Sequence, residues 1–201
     1  MTVDVLLFKA TLLIYFVATL LYLIGVITRR ESLGQVAKWA LASGFAAHCA
    51  TLAARWLATG LTPAASLYEA LSFFAWALVG TYLVFDLRYR IAVLGAFVCP
   101  LALVLMIGGT AAPKKVPVAN PILDSWWFPV HVTLAFLGYA VFAVAAMAGI
   151  MYLLQERRVK NKQFSGLFYR LPSLDTLDSI NYKCLSFGFP LMTMGIISGA
   201  I

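Results

Sequence analysis

Long apolar runs recur along the whole chain and are separated by short polar stretches. Each run is about 20 residues long, which is the length that an α-helix needs to cross the hydrocarbon core of a bilayer. The runs therefore predict an all-α fold, a polytopic bundle of transmembrane helices. We place the six spans at 5–27, 36–57, 67–86, 91–110, 129–154 and 182–201.

The polar stretches between the spans indicate how the helices are connected. The segment "DLRYR" (86–90) is so short that the third and fourth spans must form an antiparallel hairpin. The proline-rich loop 112–127 cannot be regular helix. The segment 173–183 predicts a short amphipathic helix that leads into the sixth span, with Ser173 or Asp175 as its N-cap. No linker divides the chain, so residues 1–201 are predicted to form a single transmembrane domain.

The composition agrees with a membrane protein and excludes an ordinary soluble domain. The 201 residues are 63% hydrophobic and only 11% charged, and the mean hydropathy is +0.91. The sequence contains no phosphate-binding glycine loop, no dinucleotide motif, no Ser/His/Asp set and no paired catalytic carboxylates. It therefore predicts neither hydrolysis nor nucleotide chemistry, and no catalytic residue is assigned.

The net charge of +7 is unevenly distributed between the loops. Eleven of the fifteen Lys and Arg residues follow the first, third and fifth spans, and only three lie in the alternate loops. Basic loops stay on the cytoplasmic side of a membrane. We therefore expect the N-terminus and the end of the sixth span outside, and the charge indicates a lipid bilayer as the partner rather than nucleic acid.

The three cysteines do not predict redox chemistry or a metal site. Cys49, Cys99 and Cys184 all fall within spans or at their ends, at no metal-ligand spacing, and their number is odd. We interpret them as small apolar residues within the membrane.

The segment "SWWFPVHV" places His131 at the start of the fifth span. Asp124 or Ser125 can cap this helix, so the imidazole is expected about one turn inside, near the outer surface. Ala135 and Gly138 share its face, which leaves space for a flat ligand beneath the ring. Two structural alternatives explain the same pattern: small residues allow close helix packing, and the histidine can hydrogen-bond a neighbour beneath an interfacial tryptophan pair.

The other histidine, His48, lies near the middle of the second span, where a polar ring needs a partner or a ligand. Two histidines on separate helices do not fit a zinc site, which usually has three or four protein ligands. They suit haem iron, which requires only one or two axial ligands. The alternative for His48 is a hydrogen bond between helices.

A third group of residues surrounds Glu69, in "GLTPAASLYEALSFFAW" (60–76). Glu69 is expected in the first turn of the third span, where the helix dipole stabilises a carboxylate, and Arg55 across the loop is its expected partner. A role for this pair in gating a ligand is the alternative.

Four stretches of the chain resemble the CcsA/ResC family of cytochrome c assembly proteins, the membrane haem-handling half of the system II synthase. In the family's order they are "RWLATGLTPAASLYEALSFFAW", "SWWFPVHVTLAFLGYAVFAVAAMAGIMYLL", "LPSLDTLDSINYK" and "GFPLMTMGIISGAI". The resemblance covers residues 55–201 with gaps, and "LDTLD" followed by "GFP…GAI" is its most specific part.

The resemblance implies that haem b is the cargo, held at the extracytoplasmic face of the inner (cytoplasmic) membrane. There it would be linked to the two cysteines of an apocytochrome c CXXCH motif, together with a CcsB/ResB-type membrane partner. His131 matches the first of the family's two external histidines, and so it is implied to be an iron ligand; His48 is a weaker candidate. The family's tryptophan-rich haem-binding segment and second external histidine are expected beyond Ile201, so we expect an N-terminal fragment of a haem lyase that is inactive alone.

Two other functions fit the hydropathy pattern. A HemX-type membrane protein could regulate or scaffold haem metabolism without synthase activity. A small-solute transporter is disfavoured, because transporters of this kind show broken helices at matching positions of two repeats, and the sequence has no such repeat.

Overall fold

The computed structural model of the chain describes residues 3–112, 125–162 and 169–200. Within these ranges all regular secondary structure is helical, which confirms the all-α prediction. The six α-helices are α1 (Val3–Thr28), α2 (Glu31–Thr59), α3 (Leu67–Tyr89), α4 (Ala92–Ala111), α5 (Trp127–Lys160) and α6 (Leu174–Gly199).

Four of these helices, α1, α3, α4 and α5, are long and apolar enough to cross a membrane. The prediction of a helical membrane bundle is therefore confirmed. The other two helices are more polar, since α2 carries Lys38 and Arg55 and the first turns of α6 carry Asp175 and Asp178. The spans predicted at 36–57 and 182–201 coincide with parts of α2 and α6, and their crossing of the membrane stays a prediction.

Successive helices alternate in direction, and specific contacts fix the two ends of the bundle. At one end Arg55, near the end of α2, contacts Asp4 at the start of α1. At the opposite end Lys38 of α2 pairs with Asp86 of α3 at 2.7 Å. We call the first the tryptophan end, because α5 begins there at Trp127, and the second the basic end.

The core of the bundle joins α1, α3 and α4 through two tyrosines and a glycine. The hydroxyl of Tyr82 donates a hydrogen bond to that of Tyr22 over 3.1 Å, and both rings are buried. A Cβ atom at Gly95 would stand 2.5 Å from the Tyr82 hydroxyl oxygen. Only glycine therefore allows α4 to approach the tyrosine pair this closely, since protein cores are packed without spare space.

The connections between the helices agree in part with those predicted from the sequence. The hairpin at "DLRYR" is confirmed, with Arg90 in the left-handed region (φ 52°) between α3 and α4. Ser173 caps α6 by accepting a hydrogen bond from the Thr176 amide. The predicted short amphipathic helix is not separate, because its residues and those of the sixth span form one continuous helix around Pro190. The proline-rich loop lies, from residue 113 to 124, outside the described residues.

The cysteines form neither a disulfide nor a metal cluster in the described part of the chain. Cys99 and Cys184 are buried in the core. Cys49 is exposed on the side of α2, where it accepts a hydrogen bond from the indole N–H of Trp76.

Candidate functional site

Helices α5 and α6 pack against each other through small residues. A Cβ atom at Gly195 would stand 3.1 Å from the backbone of Ala135, and one at Gly138 would stand 3.1 Å from the backbone of Met192. The space predicted beneath the imidazole for a flat ligand is therefore occupied by α6. The alternative, that small residues serve close helix packing, is what the structure has.

This close packing brings α6 within hydrogen-bonding distance of His131. The Nδ1 atom lies 2.9 Å from the carbonyl oxygen of Gly195 and 3.3 Å from the hydroxyl of Ser198. A carbonyl oxygen can only accept, so Nδ1 must carry the proton. In the neutral imidazole Nε2 then holds the lone pair, which is the form that binds a metal.

The Nε2 atom of His131 forms no hydrogen bond within the described residues. One edge of the ring lies against Gly199, where a Cβ atom would stand 2.5 Å from Cε1 and 3.3 Å from Nε2. The absence of a side chain at Gly199 therefore leaves room for the imidazole in the orientation that its Nδ1 hydrogen bonds fix. Both features suit a histidine that is oriented through one nitrogen and coordinates through the other.

An open cavity of about 660 Å³ lies beside this ring at the tryptophan end, within the usual size range of ligand sites. The indole N–H of Trp127 donates a hydrogen bond to the Ser198 carbonyl oxygen over 2.7 Å, which fixes one wall of the cavity. Trp126 packs edge-on against Trp127 and is 77% exposed. The cavity is lined by Ser125, Trp126, Trp127, Phe128, His131, Ser198 and Gly199.

The start of α5 differs slightly from the prediction. The side chain of Ser125 accepts a hydrogen bond from the Trp127 amide over 3.3 Å, but Trp126 occupies the N-cap position. Asp124, the other predicted cap, lies outside the described residues. His131 is nevertheless about one turn into the helix, as predicted.

His48 has a different environment, fully buried between α1, α2 and α3. Its Nδ1 lies 3.2 Å from the Tyr15 hydroxyl and its Nε2 lies 3.0 Å from the Ser72 hydroxyl. Both ring nitrogens are therefore engaged, and the ring joins three helices. This geometry favours the hydrogen-bonding alternative over coordination, and the assignment of His48 as a haem ligand stays a prediction that these contacts do not support.

The ion pair expected between Arg55 and Glu69 is present, with Nε and Oε1 2.8 Å apart. The other carboxylate oxygen of Glu69 accepts from the Ser66 amide, while the Ser66 hydroxyl accepts from the Glu69 amide. This reciprocal arrangement is a capping box. Because Arg55 also contacts Asp4, the guanidinium ties together the starts of α1 and α3 and the end of α2.

The residues that sequence reasoning missed are those of α6. Gly195, Ser198 and Gly199 orient His131 or border its cavity, but the prediction placed nothing from the last helix near the imidazole. The small residues of "GIISGA" share one face of α6 by three- and four-residue spacing, and this could have indicated a close partner helix.

The sequence matches a known protein family and several of its relatives. The family model described as "Cytochrome C assembly protein" matches residues 64–201, which include His131 but not His48. The chain is 30% identical to the cytochrome c biogenesis protein CcsA of Guillardia theta over 75% of its length and 56% of that protein. It is 28% identical to protein HemX of Brevibacillus brevis over 96% of its length and 72% of that protein.

A similar match is found to the CcsA protein of Synechococcus elongatus, with 29% identity over 76% of this chain and 61% of the relative. The chain thus spans between about half and three fifths of the length of these two CcsA relatives. Because the family model covers more than half of these residues, the resemblance found in the sequence is confirmed: the chain belongs to the cytochrome c assembly protein family.

Proposed function

We propose that this chain acts in c-type cytochrome biogenesis of the system II kind and holds haem b, as substrate, through the Nε2 atom of His131. The tryptophan end would face the extracytoplasmic side of the inner membrane. Family membership supports the process, and the position of His131 within the matched region supports the residue. The excess of basic residues at the opposite end supports the orientation.

The observation that carries this proposal is the hydrogen bond from Nδ1 of His131 to the Gly195 carbonyl. Metal-ligating histidines usually donate their other ring N–H to a carbonyl or carboxylate, which fixes the tautomer and raises the basicity of the ligating nitrogen. Haem iron commonly takes an imidazole as axial ligand. Trp126 and Trp127 offer aromatic surfaces beside it, which suit a flat macrocycle.

The role of the chain would be to position the reactants rather than to transfer protons. His131 would fix the iron, and the open side of the cavity would leave the two vinyl groups accessible to the apocytochrome. The reduced cysteine thiols would then add across the vinyl groups, each sulfur to one carbon and the proton to the other. Orientation of this kind supplies much of the rate in reactions of bound partners. A CcsB/ResB-type partner would complete the complex.

A second imidazole ligand would come from outside the described residues. The sequence contains only two histidines, and both nitrogens of His48 are hydrogen-bonded in the core. A second imidazole would therefore be supplied by a partner or by a small molecule.

The test is His131→Ala in the complete protein, expressed in cells that depend on it for cytochrome c. Haem-stained cytochrome c should be lost while the amount of membrane protein is kept. Added imidazole should restore part of it by occupying the empty coordination position. Normal cytochrome c in the alanine variant would refute the proposal.

A second function is a HemX-type role in regulating or scaffolding haem metabolism. It is favoured by one observation: the match to HemX covers 96% of the chain, whereas the family model begins at residue 64 and leaves out α1 and α2. Deletion of the gene distinguishes the two functions. Loss of all c-type cytochromes supports the synthase role, and normal cytochromes c with altered cellular haem support the HemX role.

A further inference from the structure

A second cavity, of about 600 Å³, opens on the outer surface of the bundle between α2, α3, α5 and α6. Its floor is formed by small residues of α3, Ala77, Gly80 and Thr81. Its walls are apolar and aromatic: Phe45 packs on Gly80 on one side, and Phe187, 64% exposed, projects on the other. We call this the α3 groove.

The α3 groove has the length of one leaflet of a bilayer. It extends along α3 from Trp76 to Arg88, which are twelve residues apart. At 1.5 Å per helical residue this is about 18 Å. Half of the hydrocarbon core measures roughly 15 Å. An acyl chain that lay in the groove would therefore reach from the middle of the membrane to its boundary.

Two cations stand where the groove reaches the basic end. Lys183 of α6 places its Nζ 4.9 Å from the centre of the Tyr89 ring. Arg88 of α3 also lines the groove and is exposed. Neither side chain forms an ion pair in the described part of the chain, whereas the nearby carboxylate of Asp86 is already paired with Lys38. The two positive charges are therefore available to an anion at the membrane boundary.

From the groove and its charges we infer that the α3 groove binds an anionic glycerophospholipid of the leaflet at the basic end. An acyl chain lies in the groove between Phe45 and Phe187, and the phosphate contacts Arg88 and Lys183. Basic pockets between transmembrane helices on the cytoplasmic side bind anionic head groups by the same chemistry. This inference concerns a face of the bundle away from His131 and stands independently of the proposed function.

The test uses the complete protein purified in detergent, with lipids retained on it measured by native mass spectrometry after addition of phosphatidylglycerol or phosphatidylcholine. The wild-type protein should retain more phosphatidylglycerol than phosphatidylcholine. Arg88→Gln combined with Lys183→Gln should lower its retention about thirtyfold, since each basic residue contributes to binding of anionic lipid. Arg157→Gln with Arg158→Gln removes the same charge from the same end, outside the groove, and should change little.

The position of the acyl chain is tested separately with phosphatidylglycerol brominated on its chains. The brominated lipid should quench the fluorescence of Trp76. The part of the quenching that is due to Trp76 should be missing in Trp76→Phe. Val84→Trp, which adds an indole at the 66% exposed rim of the groove, should reduce retention with both cations intact.

Several results would overturn the inference. Equal retention of both lipids, or equal losses in the groove and control variants, would refute recognition of the head group. Displacement of the lipid by free glycerol phosphate would indicate a site for a soluble anion instead. Haem that copurifies with wild type but not with the Arg88→Gln/Lys183→Gln variant would show that the groove binds haem. A helix of a partner protein that occupied the groove and excluded lipid would show that it is a protein interface.

Discussion

Gly199 lies so close to the imidazole of His131 that a methyl group on its Cα would stand 2.5 Å from the ring carbon Cε1. Contacts this short are not tolerated, so a side chain at this position must move the ring or the end of α6. The orientation of His131, the proposed iron ligand, therefore depends on Gly199, a residue that has no side chain.

The first prediction is that Gly199→Ala displaces His131 and impairs haem binding by the complete protein. We expect a loss of about tenfold or more in cytochrome c yield, because small misplacements of a positioning group are costly. The measurements are the haem absorption spectrum and the yield of haem-stained cytochrome c. Gly108→Ala is the matched control, because a Cβ there would meet only Leu71 Cδ1 at 3.8 Å. Equal behaviour of the two variants would contradict the prediction.

The second prediction concerns His48 as a link between helices. His48→Ala should lower the free energy of unfolding by about 2–4 kcal/mol, because it removes two hydrogen bonds and leaves the buried hydroxyls of Tyr15 and Ser72 without this partner. Ser72→Ala removes only one bond and should cost about 1 kcal/mol. Thermal unfolding in detergent measures both. Imidazole should not rescue His48→Ala, and rescue of cytochrome c would return His48 to the list of haem ligands.

The third prediction separates charge from capping at Glu69. Glu69→Gln keeps an oxygen that can accept from the Ser66 amide but removes the charge that faces Arg55. We expect a loss of about 1–3 kcal/mol, since the carboxylate is buried and its partner would lose its closest counter-charge. Glu156→Gln removes one partner of a pair with the exposed Lys160 and should cost less than about 0.5 kcal/mol. Equal unfolding temperatures for the two variants would contradict this prediction, because the buried pair would then contribute no more stability than the pair of Glu156 with Lys160.

The fourth prediction concerns orientation in the membrane. Reporter fusions after Glu31 and after Asn161 should be cytoplasmic, and one after Val116 should be external, because the basic residues concentrate at the first two positions. A cytoplasmic reporter at Val116 would invert the bundle and place His131 on the side opposite to extracytoplasmic assembly.

Features that depend on neighbouring residues or on long apolar runs were predictable from the sequence. The capping of α6 by Ser173 and the pairing of Arg55 with Glu69 follow from local spacing and the helix dipole. The space predicted beneath His131 is filled by α6, and the sequence does not distinguish the two cases because small residues on α5 are equally compatible with a ligand and with a partner helix. The contact with Gly195 joins segments far apart in sequence, and no local pattern contains it.

Synthesis of the chain imposes an order on the assembly of this site. His131 and the carbonyl that orients it are 64 residues apart, so at roughly 5–20 residues per second the ribosome needs about 3–13 s to make the second after the first. During that interval the contact between Nδ1 of His131 and the Gly195 carbonyl cannot form. Haem that reached the nascent helix in this time would meet either ring nitrogen, so the proposed coordination through Nε2 would be selective only after α6 has docked.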